Sequence, residues 1–66
     1  MSTHVGSTYI MIEAHVAQSF YKTDELTVPK GSLVKVVQVS EFGWWTVSYS
    51  GVIGIVPRQK MRIYFS

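Results

Sequence analysis

The chain carries two histidines and no cysteine. Neither His4 nor His15 stands at a spacing from other ligand-type side chains that a zinc site uses, and without thiolates the common structural zinc sets are excluded. No metal and no cofactor is expected. A serine, a histidine and an aspartate can be picked out as a nucleophilic set, but a chain this short offers no evident cleft to shut water away from them. No catalytic residue is assigned, and an enzyme is the least favoured class. Gly43, Gly51 and Gly54 are each accounted for by turns or strand ends rather than by a loop that cradles phosphate. What is left is recognition chemistry. In an extended segment Trp44 falls on the face opposite Val47, and an exposed tryptophan is a side chain enriched at binding hot spots. Arg58 and Lys60 form a basic corner, either simply solvated or able to hold an acidic segment or a phosphate.

The elements that position these side chains must come from 66 residues. That is one domain, and a domain of this size buries only about 60% of the surface its unfolded chain exposes. With 47% hydrophobic and 15% charged residues, the chain is apolar enough to fold rather than stay disordered. Its net charge of +2 comes from Lys22, Lys30, Lys35, Arg58, Lys60 and Arg62. These are scattered, whereas nucleic-acid binding calls for a clustered basic face, so no nucleic-acid partner is expected. No apolar run approaches the roughly 18 residues of a membrane span, and the N-terminus lacks a signal-peptide pattern. No membrane association is expected, and the absence of cysteine fits a cytoplasmic setting.

Residues 1–8 are rich in Ser, Thr and Gly and read as a flexible leader, leaving 9–66 as the folded domain. From Tyr9, Ile10, Ile12 and Ala14 alternate with Met11, Glu13 and His15, the period of a half-buried strand. Residues 18–25 have no period and read as a long loop that carries Phe20 and Tyr21. Leu26 and Val28 form a short inward pair before the turn chemistry of Pro29-Lys30-Gly31. Residues 33–39 are β-branched and apolar, with Val34 and Val36 inward and Lys35 outward, as a long central strand requires. After a turn at 40–43, Trp44 and Trp45 point to opposite faces, and Trp45 covers the barrel surface. Ser50-Gly51 is a two-residue hairpin connection to a return strand over 52–56, which Pro57 ends. Residues 58–60 hold at most one helical turn, and 61–64 a last strand. Five short strands and no long helix predict an all-β fold, a small five-stranded barrel.

Three motifs stand in order: Asp24-Glu25-Leu26-Thr27-Val28-Pro29-Lys30-Gly31, Gly43-Trp44-Trp45, and Gly54-Ile55-Val56-Pro57. In this the chain resembles the Src-homology-3 (SH3) family, whose members carry an acidic pair with Leu before a turn glycine, a tryptophan pair and a Gly-x-x-Pro. The resemblance implies a core of Ala14, Leu26, Val28, Val34, Val36, Val47, Val56 and Met61. It also implies a shallow aromatic groove that takes proline-rich peptides already in polyproline II form. Trp44 matches the groove tryptophan, Pro57 the groove proline, and Glu25 the acid that receives a ligand arginine. Asp24 and Glu41 add negative potential.

Aligned without a gap, the family's ALYDY segment reads Ala14-His15-Val16-Ala17-Gln18, so Val16 and Gln18 replace its two groove tyrosines. Lys60 replaces a third, after the proline, and a lysine in the floor opposes a basic peptide. The resemblance therefore implies a non-catalytic protein-interaction module of a larger cytoplasmic signalling, scaffolding or trafficking protein. Its atypical groove consists of Trp44, Pro57, Glu25, Asp24, Val16, Gln18, Tyr21, Ile55 and Lys60, binds a protein or peptide segment and has weakened proline-rich recognition. The alternative is a structural domain that packs against another domain or forms a homodimer, motivated by Val16, Tyr21, Phe42, Ile53 and Ile55 as exposed apolar residues.

Overall fold

The computed structural model describes residues 4–17 and 24–65. It contains β1 (Thr8–Met11), β2 (Leu33–Gln38), β3 (Trp44–Tyr49), β4 (Val52–Pro57), a single 3-10 turn (Arg58–Lys60) and β5 (Met61–Phe65). The five strands form one antiparallel sheet in the order β4-β3-β2-β1-β5. The all-β expectation and the division of the chain after residue 32 both hold.

The turns follow from the residues that make them. Ser50 and Gly51 both take positive φ, 51° and 80°, which is the backbone of a type I′ connection and matches the twist of the β3–β4 hairpin. At 29–31 the Ser32 amide donates to the Pro29 carbonyl, and Gly31 sits at φ 88°, a value costly for any residue with a Cβ.

The core consists of Tyr9, Met11, Val28, Val34, Val36, Trp45, Val47, Val56 and Met61. Val28, Val34, Val36, Val47, Val56 and Met61 were expected there. Ala14 was expected inside and is exposed, while Leu26 is only half-buried against the cluster. The first strand has the opposite face inward from the one that places Ala14 in the core. Tyr9 and Met11 are buried, and Ile10 and Ile12 are half-buried. Both faces of this segment are apolar, so its period of two cannot choose between them, and a slip of one residue exchanges them all. Burying Tyr9 and Met11 removes more surface from water, and the Tyr9 hydroxyl gains a hydrogen bond to His4 Nδ1 at 2.9 Å.

Trp45 was expected on the barrel surface and is instead a core residue, only 8% exposed. Its indole Nε1–H donates to the Ser40 carbonyl at 3.0 Å, so the one polar atom of a large buried side chain is satisfied. The chain before Tyr9 also joins the fold. The Gly6 amide donates to the Val36 carbonyl at 2.8 Å, the Val36 amide donates to the Ser7 carbonyl at 2.9 Å, and Ser7 is buried. Thr8 belongs to β1, so pairing with β2 begins ahead of the expected boundary at Tyr9.

Candidate functional site

Trp44 and Trp45 are adjacent on β3, and the pleat sends them to opposite faces, as expected. Trp44 is 38% exposed where Trp45 is buried. Trp44 lies opposite Pro57 in the β3–β4 ladder, and the Arg58 amide donates to the Gly43 carbonyl at 2.7 Å. This closes one end of the hairpin around a surface depression of about 400 Å³ lined by Phe42, Gly43, Trp44, Pro57, Arg58 and Gln59. Phe42 is 85% exposed at its rim.

The other side of Trp44 is occupied by His15. The two ring centroids are 5.5 Å apart with the planes at 77°, an edge-to-face contact. His15 is fixed by its backbone, since its amide donates to the Val28 carbonyl at 2.9 Å and its carbonyl accepts from the Val28 amide at 2.8 Å. Its imidazole is buried and bonded at both nitrogens. Lys60 Nζ lies 3.1 Å from Nδ1, and Glu25 Oε1 lies 2.8 Å from Nε2. An ammonium can only donate, so Nδ1 is the acceptor and the ring proton sits on Nε2, from which it donates to the carboxylate. Lys60 Nζ also reaches the Ala14 carbonyl, at 3.4 Å.

Glu25 is brought to this place by β4. The Ile55 amide donates to the Asp24 carbonyl at 2.7 Å and the Leu26 amide to the Ile55 carbonyl at 3.0 Å, so 24–26 lies alongside β4 as a short parallel pairing. Gly54 makes this possible. A Cβ there would collide with the Asp24 carbonyl oxygen and the Leu26 side chain, so this glycine answers a close approach and not a strand end.

Of the expected site residues, the fold brings Trp44 and Pro57 together directly, with Glu25 and Lys60 joined to Trp44 through His15. Asp24 is exposed. Val16, just past His15, is 59% exposed, whereas Ile55, expected among the exposed apolar residues, is half-buried in β4 and bridged to Glu25. Gln18 and Tyr21 lie outside the described residues, as does Phe20. Arg58 does not extend the basic corner toward Trp44. Its guanidinium carbon lies 5.2 Å over the Tyr9 ring and 5.0 Å over the Trp45 ring, and Nη1 donates to the Met61 carbonyl.

His15 went unassigned because the ungapped alignment opens the segment at Ala14 and gives His15 no groove position. Ala14 should be a core residue if it opened the ALYDY segment, and it is exposed; the buried residue is Met11, paired with Met61 across β1 and β5. Starting the segment three residues earlier, at Met11, moves its last position from Gln18 to His15, which touches Trp44 and Lys60. Its other groove position moves from Val16 to Glu13. The available signal was the shared face of Met11, Glu13 and His15 in the alternating pattern.

Comparison with known proteins agrees with this fold. The SH3 domain family matches residues 17–58, and the chain belongs to that family, a class of protein-protein interaction modules. The match begins just past His15. The chain is 34% identical over 58 residues to human NADPH oxidase organizer 1, covering 88% of this chain and 15% of that protein. It is 33% identical over 60 residues to human Rho guanine nucleotide exchange factor 6, covering 91% of this chain and 8% of that protein. It thus spans a small part of the length of these relatives. Among solved structures, the SH3 domain of Acanthamoeba myosin I bound to Acan125 superposes with a TM-score of 0.80 at 29% identity, covering 89% of this chain and 97% of the other. The C-terminal SH3 domain of myosin IB from Entamoeba histolytica, bound to an EhFP10(GEF) peptide, has a TM-score of 0.78 at 20% identity and covers 98% and 100%; it supports the fold alone.

Proposed function

We propose that this SH3 domain holds a polypeptide segment across Trp44, with Pro57 and the Phe42 rim on one side and His15 and Lys60 on the other. Its proline-rich recognition is weakened. The observation that carries this reading is the exposure of Trp44 between a surface depression and a buried polar cluster, beside a second tryptophan that is fully packed. A proline ring is gripped by flat aromatic walls, and here the ring packed on the indole is an imidazole tied at both nitrogens, one of them to a lysine. The domain would serve a larger cytoplasmic signalling, scaffolding or trafficking protein. The organizer, exchange-factor and myosin names of its relatives are in keeping with such a parent.

Trp44→Ala is the direct test. Hot-spot truncations remove about 2 kcal/mol or more, a loss of roughly 30-fold in affinity. A two-dimensional NMR titration with a proline-rich and an acidic peptide should show shifts centred on Trp44, Pro57 and His15 in the parent domain. They should be lost in the folded Trp44→Ala variant, and unchanged affinity would move the site elsewhere. A second reading, self-association, is favoured by the edge strand β5, where Ile63, Tyr64 and Phe65 are all more than half exposed. Sedimentation of a strict monomer across concentration removes it.

A further inference from the structure

We infer that His15 sets the charge preference of the groove by withdrawing the Glu25 carboxylate from the ligand, so that the segment bound here needs no arginine or lysine anchor. This rests on the groove reading above and sharpens it to a class of ligand. Glu25 is the acid that the family resemblance assigns to a ligand arginine. Its side chain is only 14% exposed, and Oε1 accepts from His15 Nε2–H at 2.8 Å. A guanidinium approaching it as a two-pronged donor needs both carboxylate oxygens, and one is taken by a buried group that would lose its own partner. Breaking such a bond strands a buried donor, which costs more than an exposed contact returns.

Lys60 reinforces the effect in two ways. Its ammonium at Nδ1 holds the imidazole in the tautomer that donates to Glu25. It also places a positive charge on His15, the ring packed against Trp44, which opposes a second cation there. Among the described residues, Glu13, Asp24 and Glu41 remain exposed, and solvated carboxylates are weak anchors that salt screens. Arg58 also lines the depression and, as a guanidinium, offers donors only. The groove that results suits a polypeptide segment without a basic anchor.

The test compares two short proline-rich peptides, identical except that one carries arginine and the other citrulline, which keeps the shape and removes the charge. The parent domain should bind them with affinities within about threefold, and Glu25→Gln should change neither by more than about twofold. His15→Phe should free Glu25 Oε1 from this one bond and raise preference for the arginine peptide to about tenfold, and adding Glu25→Gln should abolish it. Long-range ¹H–¹⁵N spectra of the parent domain should show a single imidazole tautomer protonated at Nε2, a readout that survives if His15→Phe does not fold. A parent domain that prefers the arginine peptide tenfold, with the preference lost in Glu25→Gln, overturns the inference while leaving the groove intact. So does unchanged preference in folded His15→Phe. If neither peptide shifts the Trp44 indole in any variant, the groove reading itself falls and takes this inference with it.

Discussion

Trp44 and Trp45 are the same side chain at neighbouring positions, and the pleat gives them different work. Trp45 is wedged among Tyr9, His4 and the Arg58 guanidinium, with ring centroids 5.5 Å from Tyr9 and 5.1 Å from His4. Removing it empties a large part of a small core and strands the Ser40 carbonyl that its indole serves. Trp45→Ala should cost about 3–5 kcal/mol of stability, in the range of large aromatic truncations, and leave the domain largely unfolded at room temperature. Urea denaturation followed by far-ultraviolet circular dichroism measures it. Trp44→Ala should shift the same transition by much less, because its ring is in part exposed, and register instead in ligand affinity. A Trp44→Ala variant as unstable as Trp45→Ala would make Trp44 a structural residue.

At the scale of elements, the groove depends on two backbone arrangements. The first is the contact of 24–26 with β4, which requires the missing side chain of Gly54. Gly54→Ala should push that segment off Ile55, costing about 1–3 kcal/mol as overpacking does. It should also speed amide exchange at Ile55 and Leu26, whose bonds span the contact. Unchanged exchange at both would mean that the segment adapts without leaving β4. The second arrangement is the β3–β4 hairpin. Ser50 holds φ 51°, where asparagine is favoured over serine at the first central position of a type I′ turn. Ser50→Asn should stabilise by about 0.5–1 kcal/mol, a fraction of the left-handed penalty, seen as a higher urea midpoint. The turn lies at the far end of the hairpin from Trp44, so binding should not change.

For the molecule as a whole, a chain of 66 residues has little stability to spare, so peripheral contacts matter. Residues before β1 contribute two backbone hydrogen bonds to Val36, and His4 packs on Tyr9 and Trp45. Removing residues 1–7 should therefore lower stability by about 1–3 kcal/mol, given about 1 kcal/mol per hydrogen bond. A melting temperature unchanged by the truncation would restore the boundary at Tyr9. What the sequence by itself determined was the strand pattern after the Pro29-Lys30-Gly31 turn, the Ser50-Gly51 hairpin, the opposed faces of the two tryptophans and the family. Each of these rests on residues near one another in the chain, where local dihedral preference and period suffice. Tertiary structure alone decided which apolar face of β1 turns inward, that Trp45 is core, and that His15 stands beside Trp44. Those choices depend on volumes and polar partners brought together from distant segments: Met61 against Met11, and Glu25 and Lys60 on the two nitrogens of one imidazole.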